Sequence, residues 1–294
     1  MSYSIFKHTM VDMTYPEIEK VIAKDGSVLF PVSVVEEHGP HLCTGTDIYL
    51  TQTICEKISL QLRELGVETV IAPPFYWGVN SITNGFTGSF EIKPETMITL
   101  LLEILGNLKK WGFNKIFLFN FHGDFIHIRT IIEAVGKAYT EQNIGVYFVN
   151  DTNLFTQLGF MEKQPYLIKV MMKADTNVME SKYVDVHAGA LETSWMIHNF
   201  EELVNIPLAH TLEPSYTTPR DIGQWIQGGE YAKKITPLGY CGNPADIDLG
   251  KIDIFEKNTT EVFSQSILDF LEQMKWSDGS EIVKEVGSNS IDKV

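Results

Sequence analysis

A chain of 294 residues with a net charge of −15 has no basic field to draw phosphates, which argues against nucleic acid or an anionic membrane surface as a partner. Its 44% apolar content is that of a globular protein with ample core. Three cysteines, Cys43, Cys55 and Cys241, lack CxxC spacing and leave an odd thiol, so no disulfide framework is expected. The first 14 residues lack a basic-then-apolar leader, and no apolar run reaches membrane-spanning length. A cytoplasmic protein acting on a small molecule is the expectation.

In chain order, residues 28–35 are almost wholly apolar, as in a strand covered on both faces. A helix is predicted over 47–65, with Ile48, Thr51, Ile54, Ile58, Leu62 and Leu65 on one stripe and Gly66 as its stop. Residues 67–72 form a second strand, ended by Pro73-Pro74. Pro94 opens and Gly112 closes a helix over 94–111. A third strand over 115–121, a helix over 125–142 and a fourth strand over 145–149 complete the alternation. That order predicts an α/β fold, three layers in section, with a mainly parallel sheet and helices on both faces. Residues 151–180 read as an inserted helical or irregular segment, and 185–200 as a strand end running into a helix. Residues 207–243 read as long loops, 252–276 as an amphipathic helix, and the tail from Ser277 as frayed. No repeat or linker divides the chain, so one domain is expected, its core at about 28–251.

Two strand ends carry the same arrangement, a ligand pair with one residue between: Glu36-Glu37-His38 and His122-Gly123-Asp124. In extended backbone, residues i and i+2 point the same way, so each pair can aim two ligands at one point. Open parallel sheets bind ligands beyond the carboxyl ends of their strands, where both pairs fall. Asp47, across a Gly/Pro loop from His38, can turn back over the same strand end or act only as a helix N-cap. Asp124 has the same two readings. His187 and Glu192 would lie about 140° apart on one helix and converge only if His187 precedes the helix and Glu192 sits in its first turns. No GxGxxG or P-loop pattern supports nucleotide binding. Mixed imidazole and carboxylate ligands suit Zn²⁺ or Mn²⁺. Tyr76, Trp77, Phe121 and Trp195 are candidates for pocket walls.

The segment Glu36-Glu37-His38-Gly39-Pro40-His41-Leu42 with Asp47 resembles the ExHGxHL…D signature of the creatininase family. Asn120-Phe121-His122-Gly123-Asp124 is similar to its NGHxxN segment and residues 187–194 to its HAGxxETS segment. Residues 85–89 with 94–96 resemble its Gly/Thr-rich loop, and Gly242-Asn243-Pro244-Ala245-Asp246 its closing motif. The resemblance implies a three-layer α/β/α fold, one or two divalent ions and hydrolysis of a C–N bond in a cyclic amide or formamide. By position it implies Glu36, Asp47 and His122 as ligands of one ion, and His38 with a bridging Asp47 as ligands of the other. Asp124 or Glu192 would be the additional ligand, and His187 the residue that moves a proton; apart from the resemblance, Glu37 or Asp124 would take that role if His187 does not. It further implies a homo-oligomer, commonly a hexamer. Phe121 stands where the family has Gly, and Gly123 where creatininase has a substrate-contacting aromatic. Creatinine is therefore not the expected substrate. The alternatives are a family member acting on a keto-sugar or keto-inositol carbonyl, or a non-catalytic metal-binding protein.

Overall fold

The computed structural model describes residues 4–172 and 182–277. Five strands form one sheet in the order β2-β1-β3-β4-β5: β1 (Ser27–Pro31), β2 (Thr69–Ile71), β3 (Ile116–Phe119), β4 (Val146–Asp151) and β5 (Leu167–Val170). All four pairings are parallel. Alternation along each strand divides the core in two. Val28, Phe30, Ile116, Leu118, Val146 and Phe148 face a layer containing α1 (Tyr15–Ala23), α3 (Pro94–Trp111) and α4 (Phe125–Thr140). Leu29, Ile71, Phe117, Phe119, Tyr147 and Val149 face α2 (Thr46–Glu64), α6 (Ala190–Phe200) and α10 (Leu249–Ser277). Both faces are covered, and for this reason consecutive strand residues are apolar, as in Val28-Leu29-Phe30 and Ile116-Phe117-Leu118-Phe119, rather than every second one. Short helices α5 (Thr152–Gln157), α7 (Ile206–Ala209), α8 (Pro219–Trp225) and α9 (Glu230–Ile235) fill the connections.

The three-layer parallel fold is the one expected, and its departures are instructive. The first strand stops at Pro31; beyond an isolated bridge from Val32 to Phe75 the apolar run leaves the sheet ladder, with Ser33 N–H donating to the Phe75 carbonyl and the Val35 carbonyl accepting from Phe90 N–H. Residues 151–172 are not merely irregular but supply α5 and the edge strand β5. Lys169 in that strand sends its ammonium back to the carbonyls of Phe160, Met161 and Glu162, pinning the preceding turn. The stretch expected to be long loops holds α7, α8 and α9. The part of the expected insertion at 173–180 and the tail beyond Ser277 lie outside the described residues. Among the described residues no helix is long and apolar enough to cross a membrane.

Candidate metal centre

The chain order reverses direction across the sheet between β1 and β3, the switch point where open α/β sheets bind ligands. Glu36, Glu37 and His38 follow β1 there, and His122 follows β3 beside it. Asp47 lies in the first turn of α2, whose N-cap is Gly45, so Asp47 does not cap the helix. Its carboxylate spans the site, with Oδ2 3.1 Å from His122 Nδ1 and Oδ1 3.3 Å from His38 Nε2. Glu36 Oε2 is 2.8 Å from the same His122 nitrogen, and Glu192 Oε2 is 3.7 Å from His38 Nε2. Two donor groups result, Glu36–Asp47–His122 and His38–Asp47–Glu192, with Asp47 common to both. A third grouping joins Glu36 and His38 to His187.

Three features fit these groups to a cation. Each histidine is pinned by a backbone carbonyl on the ring nitrogen that faces away: His38 Nδ1 on Glu36 O at 3.1 Å, and His122 Nε2 on Val79 O at 3.2 Å. A carbonyl only accepts, so that nitrogen carries the proton and the lone pair is left on the nitrogen facing the carboxylates. Next, Glu36 Oε2, Asp47 Oδ2 and His38 Nε2 are buried without a hydrogen bond of acceptable geometry, although they lie close together. Atoms that crowd one point without bonding one another leave a position for something between them. Finally, no lysine or arginine among the described residues pairs with these three acids. Burial opposes charge on His38 and His122, yet Asp47 and Glu192 beside the first, and Glu36 and Asp47 beside the second, raise both well above 6.5. Burial likewise opposes charge on Asp47 and Glu36, but their histidine neighbours outweigh it and lower both. Glu192 is raised, chiefly by burial. The acids and the histidines thus favour one another's charged forms.

Neighbouring segments hold the donors. Thr83 donates to Glu36 Oε1 at 2.6 Å and accepts from Ser89, whose hydroxyl oxygen accepts the Glu37 N–H. The Ala188 N–H donates to Glu192 Oε2 at 2.6 Å. His187 precedes α6 and Glu192 lies in its first turn, the disposition required for convergence. His187 Nε2 sits 2.8 Å from the Glu37 carbonyl and 3.5 Å from Glu37 Oε1, and its ring lies 4.5 Å from that of His38. Burial opposes its charge, but the Glu36, Glu37 and Glu192 carboxylates together hold its pKa above the ordinary value. Glu37 turns away from the donor groups. Its Oε2 accepts the Gly39 N–H and lies where a Cβ at Gly239 would stand 2.0 Å away, so only glycine fits there.

Asp124 is placed otherwise. Its Oδ1 caps α4 through the Ile126 and His127 N–H groups, and its Oδ2 accepts from both the N–H and hydroxyl of Ser81 at 2.6 Å. Both oxygens are thus committed, and Asp124 joins none of the donor groups. Sequence reasoning passed over Thr83 and Ser81; the polar run Asn80-Ser81-Ile82-Thr83 after a Gly-Val pair was the available signal. The expected walls are also elsewhere. Trp195 and Phe121 meet edge to face, Tyr76 and Trp77 pack against each other at a tilt, and none of the four lines the cavity. Instead, a cavity of about 460 Å³ above the centre is lined by Ile82, Phe125, Ile126, Leu154, Val186, Ile222, Trp225 and Ile226, with Ser81 and Asp124 paired at one side.

Fold and site together define a three-layer α/β protein with a carboxylate–imidazole centre at the switch point of its sheet. The chain belongs to the creatininase family, described as creatinine amidohydrolase, which matches residues 11–267. It is similar to the 3-dehydro-scyllo-inosose hydrolase of Thermotoga maritima, 24% identical over 89% of this chain and 80% of the relative. It is similar to the creatinine amidohydrolase of Pseudomonas putida, 23% identical over 76% of this chain and 82% of the relative. A mycofactocin precursor peptide peptidase of Mycobacterium ulcerans is 24% identical over 74% of this chain and 75% of its own length. Among solved structures, a mutant creatininase of Zn-Zn type superposes with a TM-score of 0.65 at 16% identity, covering 91% of this chain and 98% of that one. One described as creatininase Mn superposes at 0.63 and 18% identity with the same coverage. The protein is a creatininase-family hydrolase.

Proposed function

We propose that this hydrolase cleaves an amide-type C–N bond, of a cyclic amide or formamide, in a small molecule, and that it depends on one or two divalent ions, Zn²⁺ or Mn²⁺. The observation that carries the proposal is the convergence of Glu36, Asp47 and His122 with His38 and Glu192 around a shared Asp47. Those five residues would hold the metal; the Zn-Zn and Mn descriptions of the solved relatives support the choice of ion. When bound, a divalent ion supplies Lewis acidity, polarising a carbonyl and acidifying water.

The rest falls to the chain's own side chains. His187 lines the cavity beside the donors, and its Nε2–H is spent on the Glu37 carbonyl, so Nδ1 is the nitrogen free to exchange a proton. Hydrolysis requires one proton to leave water and one to reach the departing nitrogen, and a histidine held above its ordinary pKa can serve both in turn. Glu37 orients that ring through its carbonyl, and its Oε1, buried without a hydrogen bond, is near enough to stabilise the imidazolium. Trp225 and its neighbours give the reacting bond an apolar surround.

A second reading, action on a keto-inositol or keto-sugar carbonyl, is favoured by the Thermotoga relative, which spans most of this chain. Turnover of cyclic amides, formamides and keto-inositols, each with Mn²⁺ and with Zn²⁺, separates the two. Release of amine or opening of a cyclic amide supports the C–N reading; turnover confined to keto-inositols replaces it.

A further inference from the structure

The donor groups form only the floor of the cavity, and its walls have a chemistry of their own. Trp225 and Ile222 on α8, with Ile226 just beyond it, face Phe125 and Ile126 at the start of α4, and Val186 closes the side. Four of these are unusually open for large apolar residues: Phe125 is 45% exposed, Ile126 47%, Val186 48% and Ile226 51%. They are gathered at one mouth rather than scattered, which is the arrangement that marks a binding surface. Trp225 itself is buried, and its indole N–H is engaged by Thr236 Oγ1 at 2.9 Å, so it presents ring and no donor.

Polar groups on the walls are already paired. Ser81 donates through both backbone and hydroxyl to Asp124, whose other oxygen caps α4. No lysine or arginine is among the lining residues. A polyhydroxylated substituent would lose its hydration against these walls without gaining partners. An apolar group would instead bury against the indole and the isoleucines. The α8–α9 connection is also held against the opposite rim. Gly229 donates to the Ile82 carbonyl at 3.0 Å, and at Gly228 (φ +75°) a Cβ would stand 1.9 Å from Ser81 O. The apolar wall is therefore a fixed part of the site.

We infer that the wall of Trp225, Ile222, Ile226, Phe125, Ile126 and Val186 is a specificity pocket for an amide bearing an alkyl or aryl substituent, and that it selects against polyols. The inference deepens the proposed hydrolase reading and rests on its metal floor.

Hydroxamic acids test the two separately, because their head group chelates a divalent ion while the tail can be varied. Binding of aceto-, butyro- and hexanohydroxamic acid and of gluconohydroxamic acid to the Mn²⁺- or Zn²⁺-loaded protein is measured by calorimetry. Burial of each methylene is expected to tighten binding by about fourfold, so hexano- should exceed aceto- by well over tenfold, with gluconohydroxamate no tighter than aceto-. In Ile226→Asn, an exposed position that tolerates a polar residue, and in Trp225→Ala, that ratio should shrink severalfold. Equal affinity along the series, or preference for gluconohydroxamate, overturns the apolar pocket while leaving the metal reading intact. Failure of the loaded protein to bind any hydroxamate removes the metal floor, and the pocket assignment falls with it.

Discussion

Two buried acidic centres in this molecule are handled in opposite ways. Glu256 on α10 is 2% exposed, and both its oxygens are matched by side chains. Oε1 accepts from the Trp195 indole and the Asn199 amide, and Oε2 pairs with Lys57 and lies 3.4 Å from His198. That centre ties α10 to α2 and α6 and needs nothing further. In the centre of Glu36, Asp47 and Glu192 the first two acids are as deeply set and the third is partly exposed, yet no lysine or arginine among the described residues pairs with them, and Glu36 Oε2, Asp47 Oδ2 and His38 Nε2 are left without hydrogen bonds. A buried charge kept for stability arrives with its counter-ion attached; one kept for function leaves the counter-ion to be supplied. The contrast separates residues whose loss should unfold the protein from residues whose loss should silence it.

The largest effect should come from His187→Ala. If His187 moves the proton, the variant keeps its metal content and melting temperature but loses about 10²–10⁴ in kcat. Unchanged turnover, measured on whichever substrate the wild type accepts, would transfer the role to Glu37. Next is Thr83→Val, which removes the hydroxyl holding Glu36 Oε1. Losses of roughly 10–100-fold in metal affinity are expected from such an orienting partner, read by titration against a competing chelator. On the other side of the comparison, Lys57→Met strips Glu256 of its permanent cation. Stability should fall by about 1–3 kcal/mol, seen in denaturant melts, with metal content unchanged. A variant that instead lost metal would erase the distinction between the two centres.

The smallest effect is in pH. In the metal-free protein His38 and His122 are raised well above 6.5, so the stability they contribute is fully present below 6.5 and is lost as pH rises through their folded values. Metal must displace those protons, so binding strengthens over the same rise. The gain in melting temperature on adding Mn²⁺ or Zn²⁺ should therefore be small in mild acid and grow towards mild alkali. A gain independent of pH would mean that the ion binds elsewhere.

The same contrast explains what could be seen in the sequence. The Glu36/His38 pair and the His122 turn were visible because each is local and directly follows an apolar strand, and the order of strands and helices made the parallel sheet legible. Asp124 was ambiguous because a carboxylate opening a helix can serve either the helix or a site, and here Ser81, 43 residues away in sequence, takes its second oxygen. β5 escaped notice because four residues with a lysine among them carry too little period. The cavity walls were illegible for a different reason. Trp225, Phe125 and Val186 come from segments far apart in the chain, and only the docking of α8 over the 81–82 loop brings them together. Trp195, which reads equally well as a wall, is occupied with Glu256 in the core.

The most direct test of the central claim is calorimetric titration of chelator-treated protein with Zn²⁺ and Mn²⁺, wild type beside Asp47→Asn. Asp47 is the one residue shared by both donor groups. The account predicts saturable binding of one or two ions by the wild type with release of protons, and loss of that binding in a folded Asp47→Asn protein. A wild type that is folded yet binds neither ion, or an Asp47→Asn variant that binds as well as the wild type, would contradict it.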